Sequence, residues 1–158
     1  MHCSFLIIKS RLAPLKQTTI PRLELTAATV AVRIGHLMLE ELDIVVDRVF
    51  YHTDSTTVLH YIYNEKKRFP IFVANRVQFI RDYSQPHQWR YVNTKDNPAD
   101  NASRGMSVDE IIQCKSWINA PDFGQSSLGC LRTISLIQTQ SSHHLLLQPV
   151  NLYQPLPT

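Results

Sequence analysis

Glycine is scarce in this chain, with only Gly35, Gly105, Gly124 and Gly129 among 158 residues. None of them follows an acid in the Asp-Ser/Thr-Gly order of an aspartic peptidase, and the nearest approach, Asp54-Ser55-Thr56, lacks the glycine. The three cysteines, Cys3, Cys114 and Cys130, are odd in number and far apart, with no CxxC or Cys/His ligand spacing. That excludes a disulfide framework and a zinc site, and it makes a reducing, intracellular setting the expectation. No apolar run approaches the roughly 18 residues of a membrane span. The N-terminal MHCSFLIIKSRL has no small-residue cleavage site, so neither a membrane span nor a signal peptide is expected.

The sequence does have the means for one packed domain, since 44% of its residues are apolar. A net charge of +3 is compatible with a polyanionic partner but does not by itself require one. Charge is also unevenly spread: residues 124–158 hold one charged side chain, Arg132, among many Ser, Gln, Thr and Pro. No periodicity is sustained there, so a domain over 1–123 is expected to be followed by a divergent, poorly ordered tail over 124–158. The adjacent His143 and His144 in that tail have no third ligand nearby in sequence.

Along the first 123 residues the pattern alternates between strand and helix. CSFLIIK (3–9) reads as a strand and SRLAPLKQTT as a loop. A helix follows, with Thr18 and Thr19 near its cap, Pro21 in its first turn and apolar periodicity from Leu23 to Leu42. RVFYHTD (48–54) reads as a strand with Val49 and Tyr51 on one face and Phe50 and His52 on the other. Ser55 suits the cap of the helix STTVLHYIYNE, and Val73, Val77 and Ile80 mark a further helix within Pro70–Tyr83. WRYVN (89–93) is another short strand. Asn97 and Pro98 then open a short helix that Gly105 can close, and Ser107 with Glu110 form a capping box for a helix reaching toward Trp117.

Three acids fall at the junctions of these elements. Helical steps from Glu24 reach Ala27, Ala28, Ala31 and Gly35, a stripe of small residues that lets a helix lie close to a sheet. Asp54 leaves a strand just before a helix start, where open α/β sheets commonly place their chemistry. Asp100 falls in the first turn of its own helix. Each also has a purely structural role open to it: Glu24 and Asp100 complement a helix N-terminus, and Asp54 suits a strand-to-helix turn.

Five blocks, TIPRLELTAATVAV, FYHTDSTTVLHYI, RFPIFVANRVQFI, QWRYVNTKDNPADNASRG and KSWINAPDF, resemble in their order the ribonuclease H-like segment of BEL/Pao retrotransposon polyproteins, over roughly residues 2 to 123. The resemblance implies an α/β fold with strand order 3-2-1-4-5. It implies that Glu24, Asp54 and Asp100 are three of four metal-binding acids, with Mg2+ as cofactor and RNA:DNA hybrid or another nucleic acid as partner. The reverse transcriptase portion of the same polyprotein is a further implied partner.

The fourth acid belongs to the first strand, which the resemblance places upstream of CSFLIIK. The expected fold is therefore truncated, without strands 1 and 2, and keeps a short parallel pair, RVFYHTD with WRYVN, covered by helices. One edge of that pair would be open unless CSFLIIK moves inward. Smaller departures are Asn101 in place of a second acid or leucine, His52 in place of tryptophan, and Gly124 after the PDF block.

Carboxylates are hard oxygen ligands suited to Mg2+, and shared acids can hold two ions about 4 Å apart, one activating water and one stabilising the leaving oxygen. Lys66, Lys67 and Arg68, with Arg76, Lys95 and Arg104, are the cations available to phosphates. The expected function is a polyprotein fragment descended from an enzyme that hydrolyses RNA in RNA:DNA hybrids, inactive alone. The alternatives are a catalytically silent nucleic-acid-binding or polyprotein-interaction module and, less favoured because of the missing glycine, a Pao-type aspartic peptidase.

Overall fold

A computed structural model describes residues 7–10, 18–43, 45–97, 107–113, 133–138 and 144–148. The elements in chain order are β1 (Ile7–Ser10), α1 (Ile20–Glu41), β2 (Arg48–Thr53), α2 (Thr56–Tyr63), α3 (Ile71–Tyr83), β3 (Trp89–Tyr91), α4 (Val108–Gln113), β4 (Thr133–Gln138) and β5 (His144–Gln148). Single 3-10 turns at Pro86–Gln88 and Thr94–Asp96 precede and follow β3.

The start of α1 follows from Pro21, whose missing N–H and fixed φ suit a first helical turn. The Thr19 carbonyl accepts from the N–H groups of Arg22 at 3.0 Å and Leu23 at 3.2 Å. From there Glu24, Leu25, Ala28, Ala31, Val32 and Gly35 form its buried face. The small-residue stripe expected from the sequence is thus the side that faces inward.

At the start of α2, the Ser55 hydroxyl accepts from the Val58 N–H at 3.1 Å, as its N-cap position predicts. The other end of α2 is finished by tertiary contacts. Arg81 of α3 donates to the carbonyls of Tyr61, Ile62 and Asn64, the groups that a helix C-terminus leaves without intrahelical partners. The Tyr63 hydroxyl reaches the carbonyls of Pro86 and Trp89 at 3.0 Å each, which fastens the same end of α2 to the start of β3.

The core forms where α1, α2 and α3 cover one face of the strands. Leu25, Val32, Val58, Ile62, Val77 and Ile80 pack there with Tyr51 and Trp89, whose rings stack at 4.9 Å between centroids. The Trp89 indole N–H donates to the Ser84 hydroxyl at 2.9 Å, so its polar edge is satisfied inside the core.

β2 and β3 are parallel, with Tyr51 opposite Trp89 and Thr53 opposite Tyr91, as expected. The other edge of β2 departs from expectation. Residues Ile7–Ser10 do not pair with it; β4 does, in parallel, with Arg48 opposite Thr133 and Thr53 opposite Gln138. β5 then pairs antiparallel with β4, and β1 antiparallel with β5, giving the order β1-β5-β4-β2-β3. Two strands therefore stand between CSFLIIK and RVFYHTD, at the places where the resemblance puts strands 1 and 2, and both come from the stretch expected to be poorly ordered. The physical reason is that β2 has an unsatisfied row of backbone donors and acceptors along that edge, and TISLIQ and HLLLQ are short apolar runs that can satisfy it.

Candidate metal and nucleic-acid site

Parallel β2 and β3 end side by side, and the Val92 N–H continues their ladder by donating to the Thr53 carbonyl at 3.0 Å. Asp54 and Ser55 leave β2 at this end. The turn is fixed locally, since the Ser55 N–H donates to the Thr53 hydroxyl at 3.1 Å while the Ser55 hydroxyl caps α2.

That same hydroxyl donates to Glu24 Oε2 at 2.6 Å, a charge-assisted bond across 31 positions of sequence. Glu24 is 5% exposed and Asp54 1% exposed. The first turn of α1 and the end of β2 thus deliver two of the expected acids to one place, with Ser55 as the physical link between them. Sequence reading assigned Ser55 only the cap; its second bond had no local signal, because the partner lies on another element.

Asp100 and Arg104 lie outside the described residues. The last described residues before them are the turn at Thr94–Asp96, which follows β3, and the buried Asn97. Among the described residues no group of three His, Cys, Asp or Glu is gathered tightly enough to hold a metal ion. The donors present, two buried carboxylates on separate elements, nevertheless match the hard oxygen chemistry that Mg2+ requires.

His52, two residues before Asp54, is buried, and its pKa is lowered to about 4 by burial and by the nearby Arg90 charge. It is therefore neutral at neutral pH. Tyr51, on the opposite face of the strand, has its phenol pushed up to about 12 by burial in the core.

The expected cations separate into different places. Lys66 and Lys67 donate their N–H groups to Asn64 Oδ1 in a turn just beyond α2. That end of α2 is the one bonded to the start of β3, so both lysines lie about 12 Å of helix away from Asp54. Arg68 is exposed in the same loop. Lys95 follows β3 and is exposed at the end of the sheet where the acids are.

Arg76 lies elsewhere again, between α1 and α3. Its guanidinium stacks on Phe72 at 3.5 Å and donates to the Thr26 hydroxyl at 3.3 Å and the Phe72 carbonyl at 3.1 Å. Arg22 and Arg33, which the sequence did not single out, stand over Phe72 and Phe79 on the same side. Their signal was available as a second helical stripe on α1, opposite the stripe of Glu24.

No helix of the described residues is long and apolar enough to cross a membrane. No curated protein and no solved structure matches the chain. A family model does: residues 1–55 match the Pao retrotransposon-like RNaseH-like domain, a span that contains Glu24, Asp54 and Ser55. Over those residues the chain is similar to that domain, and its α/β architecture with the parallel β2–β3 pair is consistent with a truncated ribonuclease H-like fold.

Proposed function

We propose that this retrotransposon polyprotein fragment retains an Mg2+-binding acid site derived from RNA:DNA-hybrid hydrolysis, built from Glu24, Asp54 and Asp100, and that it does not turn over alone. The observation that carries this reading is the 2.6 Å bond from Ser55 to Glu24 beside Asp54, which brings two buried carboxylates from separate elements to one end of the sheet. Mg2+ at such a site would supply charge neutralisation and an activated water. Ser55 orients Glu24, and the buried setting strengthens every charge interaction made there.

Inactivity is inferred from the strand beside β2. β4, TISLIQ, carries no Asp or Glu, so the place next to β2 adds no further acid. With one ligand fewer, the second metal ion would be poorly held.

Two measurements on the purified chain test this reading. Mg2+ at 100 times its Kd should stabilise the fold by about 2.7 kcal/mol in thermal melts, and Asp54→Asn should remove that gain. Absence of any Mg2+ stabilisation would sink the metal site. Cleavage of a labelled RNA:DNA hybrid that Asp54→Asn abolishes would instead sink the claim of inactivity. A catalytically silent nucleic-acid-binding module is the second reading, favoured by the exposed cations of the 66–68 loop and α1; it expects salt-sensitive hybrid binding with no Mg2+ effect.

A further inference from the structure

α1 turns two unlike faces to its surroundings. At 3.6 residues per turn, Arg22, Thr26 and Arg33 lie within about 20° of the line directly opposite Glu24. α3 packs against this side so that Arg22 meets Phe72, Arg76 meets Thr26 and Arg33 meets Phe79, in the same order along both helices. A groove of about 280 Å³ results, lined by Thr26, Thr29, Arg33, Asn75, Arg76 and Phe79, together with Val30.

The groove has an excess of positive charge. Among the described residues, none of Arg22, Arg33 and Arg76 has a carboxylate within ion-pair distance. The neighbouring acids are engaged otherwise: Asp82 accepts from Gln78 at 2.7 Å, and Glu40 meets His36 at 3.4 Å. Partial burial, and then the Arg33 charge, hold the Arg76 guanidinium below its usual pKa. An arrangement that stacks guanidinium groups on rings and leaves their charge unneutralised is suited to an external anion.

The length of the row selects the kind of anion. From Arg22 to Arg33 the helix rises roughly 16 Å. A single phosphate spans a small part of that, whereas a nucleic-acid strand, at about 3.4 Å per phosphate, would lay several along it.

We infer that the groove between α1 and α3 binds the sugar-phosphate backbone of a nucleic-acid strand, through Arg22, Arg33 and Arg76, on the side of α1 opposite the Glu24–Asp54 site. This inference draws its choice of partner from the proposed function, but the groove itself needs neither the metal nor the acids.

The test is the salt dependence of binding to a labelled 20-base-pair RNA:DNA hybrid, without Mg2+, for the full chain and the double variant Arg22→Gln/Arg33→Gln. Both exposed arginines can be changed without opening the core. The double variant should make the slope of log K against log salt shallower by about 1.8. An unaltered slope in the double variant overturns the inference. So does inorganic phosphate displacing the hybrid at a concentration independent of hybrid length, which would mark a free-phosphate site. Loss of the Mg2+ effect with a normal slope change would sink only the proposed acid site, and an Mg2+ effect with an unaltered slope only the groove.

Discussion

The two faces of α1 differ in nearly every physical respect. One face places Leu25, Ala28, Ala31 and Gly35 against the rest of the fold and carries Glu24 to Ser55; the other exposes Arg22 and Arg33 above aromatic rings of α3. Small side chains on the first face allow close approach, and the carboxylate is tolerated there because a hydroxyl donates to it. Long side chains on the second face are exposed and hold their guanidinium groups over Phe72 and Phe79. One helix thus keeps an acidic, buried end apart from a cationic, open groove, and the separation is set by helical period alone.

The sharpest way to break the contrast is to cut into the buried face. Leu25 is fully buried, so Leu25→Ala should cost about 2–5 kcal/mol in urea unfolding, by lost burial plus the cavity left behind. A loss below 1 kcal/mol would mean that this face is not the packed one.

A smaller effect is expected from β2, where the same division recurs between Tyr51 on the helix-covered side and His52 on the other. The folded pKa of His52 lies near 4 against 6.5 for the free group, so the unfolded chain binds its proton first. Stability from this group is therefore full above pH 6.5 and is lost as the pH falls toward 4, by about 3 kcal/mol in all. Urea midpoints at pH 7 and pH 4.5 should differ more for the natural chain than for His52→Gln; equal differences would show that His52 is not buried in its neutral form.

The smallest effect belongs to the exposed face. Arg33→Gln should change unfolding stability by no more than about 0.5 kcal/mol, as for most surface substitutions. A larger loss would mean that Arg33 supports the fold and is not held in reserve for an anion.

Much of this architecture was legible in the sequence because it is periodic. Pro21 and the apolar spacing to Leu42 mark α1, Val73, Val77 and Ile80 mark α3, and alternation in RVFYHT marks β2. The capping box at the head of α4 is also local: the Ser107 N–H donates to Glu110 Oε2 at 2.7 Å and the Glu110 N–H to the Ser107 hydroxyl at 3.3 Å. Those bonds hold the Glu110 carboxyl below its usual pKa. The pairing of β4 with β2 was not legible, since it joins residues 85 positions apart, Arg48 with Thr133, and TISLIQ gives no sign of which edge it will meet. The sequence also grouped Lys66, Lys67 and Arg76 by charge, while the fold puts the two lysines beyond the end of α2 and Arg76 against α1.

By itself, then, the sequence determined the described elements from β1 to α4, their faces and the two acids at element ends, because caps, prolines and period-2 or period-3.6 patterns act over a few residues, whereas β4 and β5 carried no such signal. Only the tertiary structure decided that Ser55 would join Glu24 to the end of β2, that Arg33 and Arg76 would line one groove with Arg22 over Phe72 beside it, and which strands would close the sheet. Those outcomes depend on contacts between residues distant in the chain, and such contacts exist only once the helices have packed and every strand edge has found its partner.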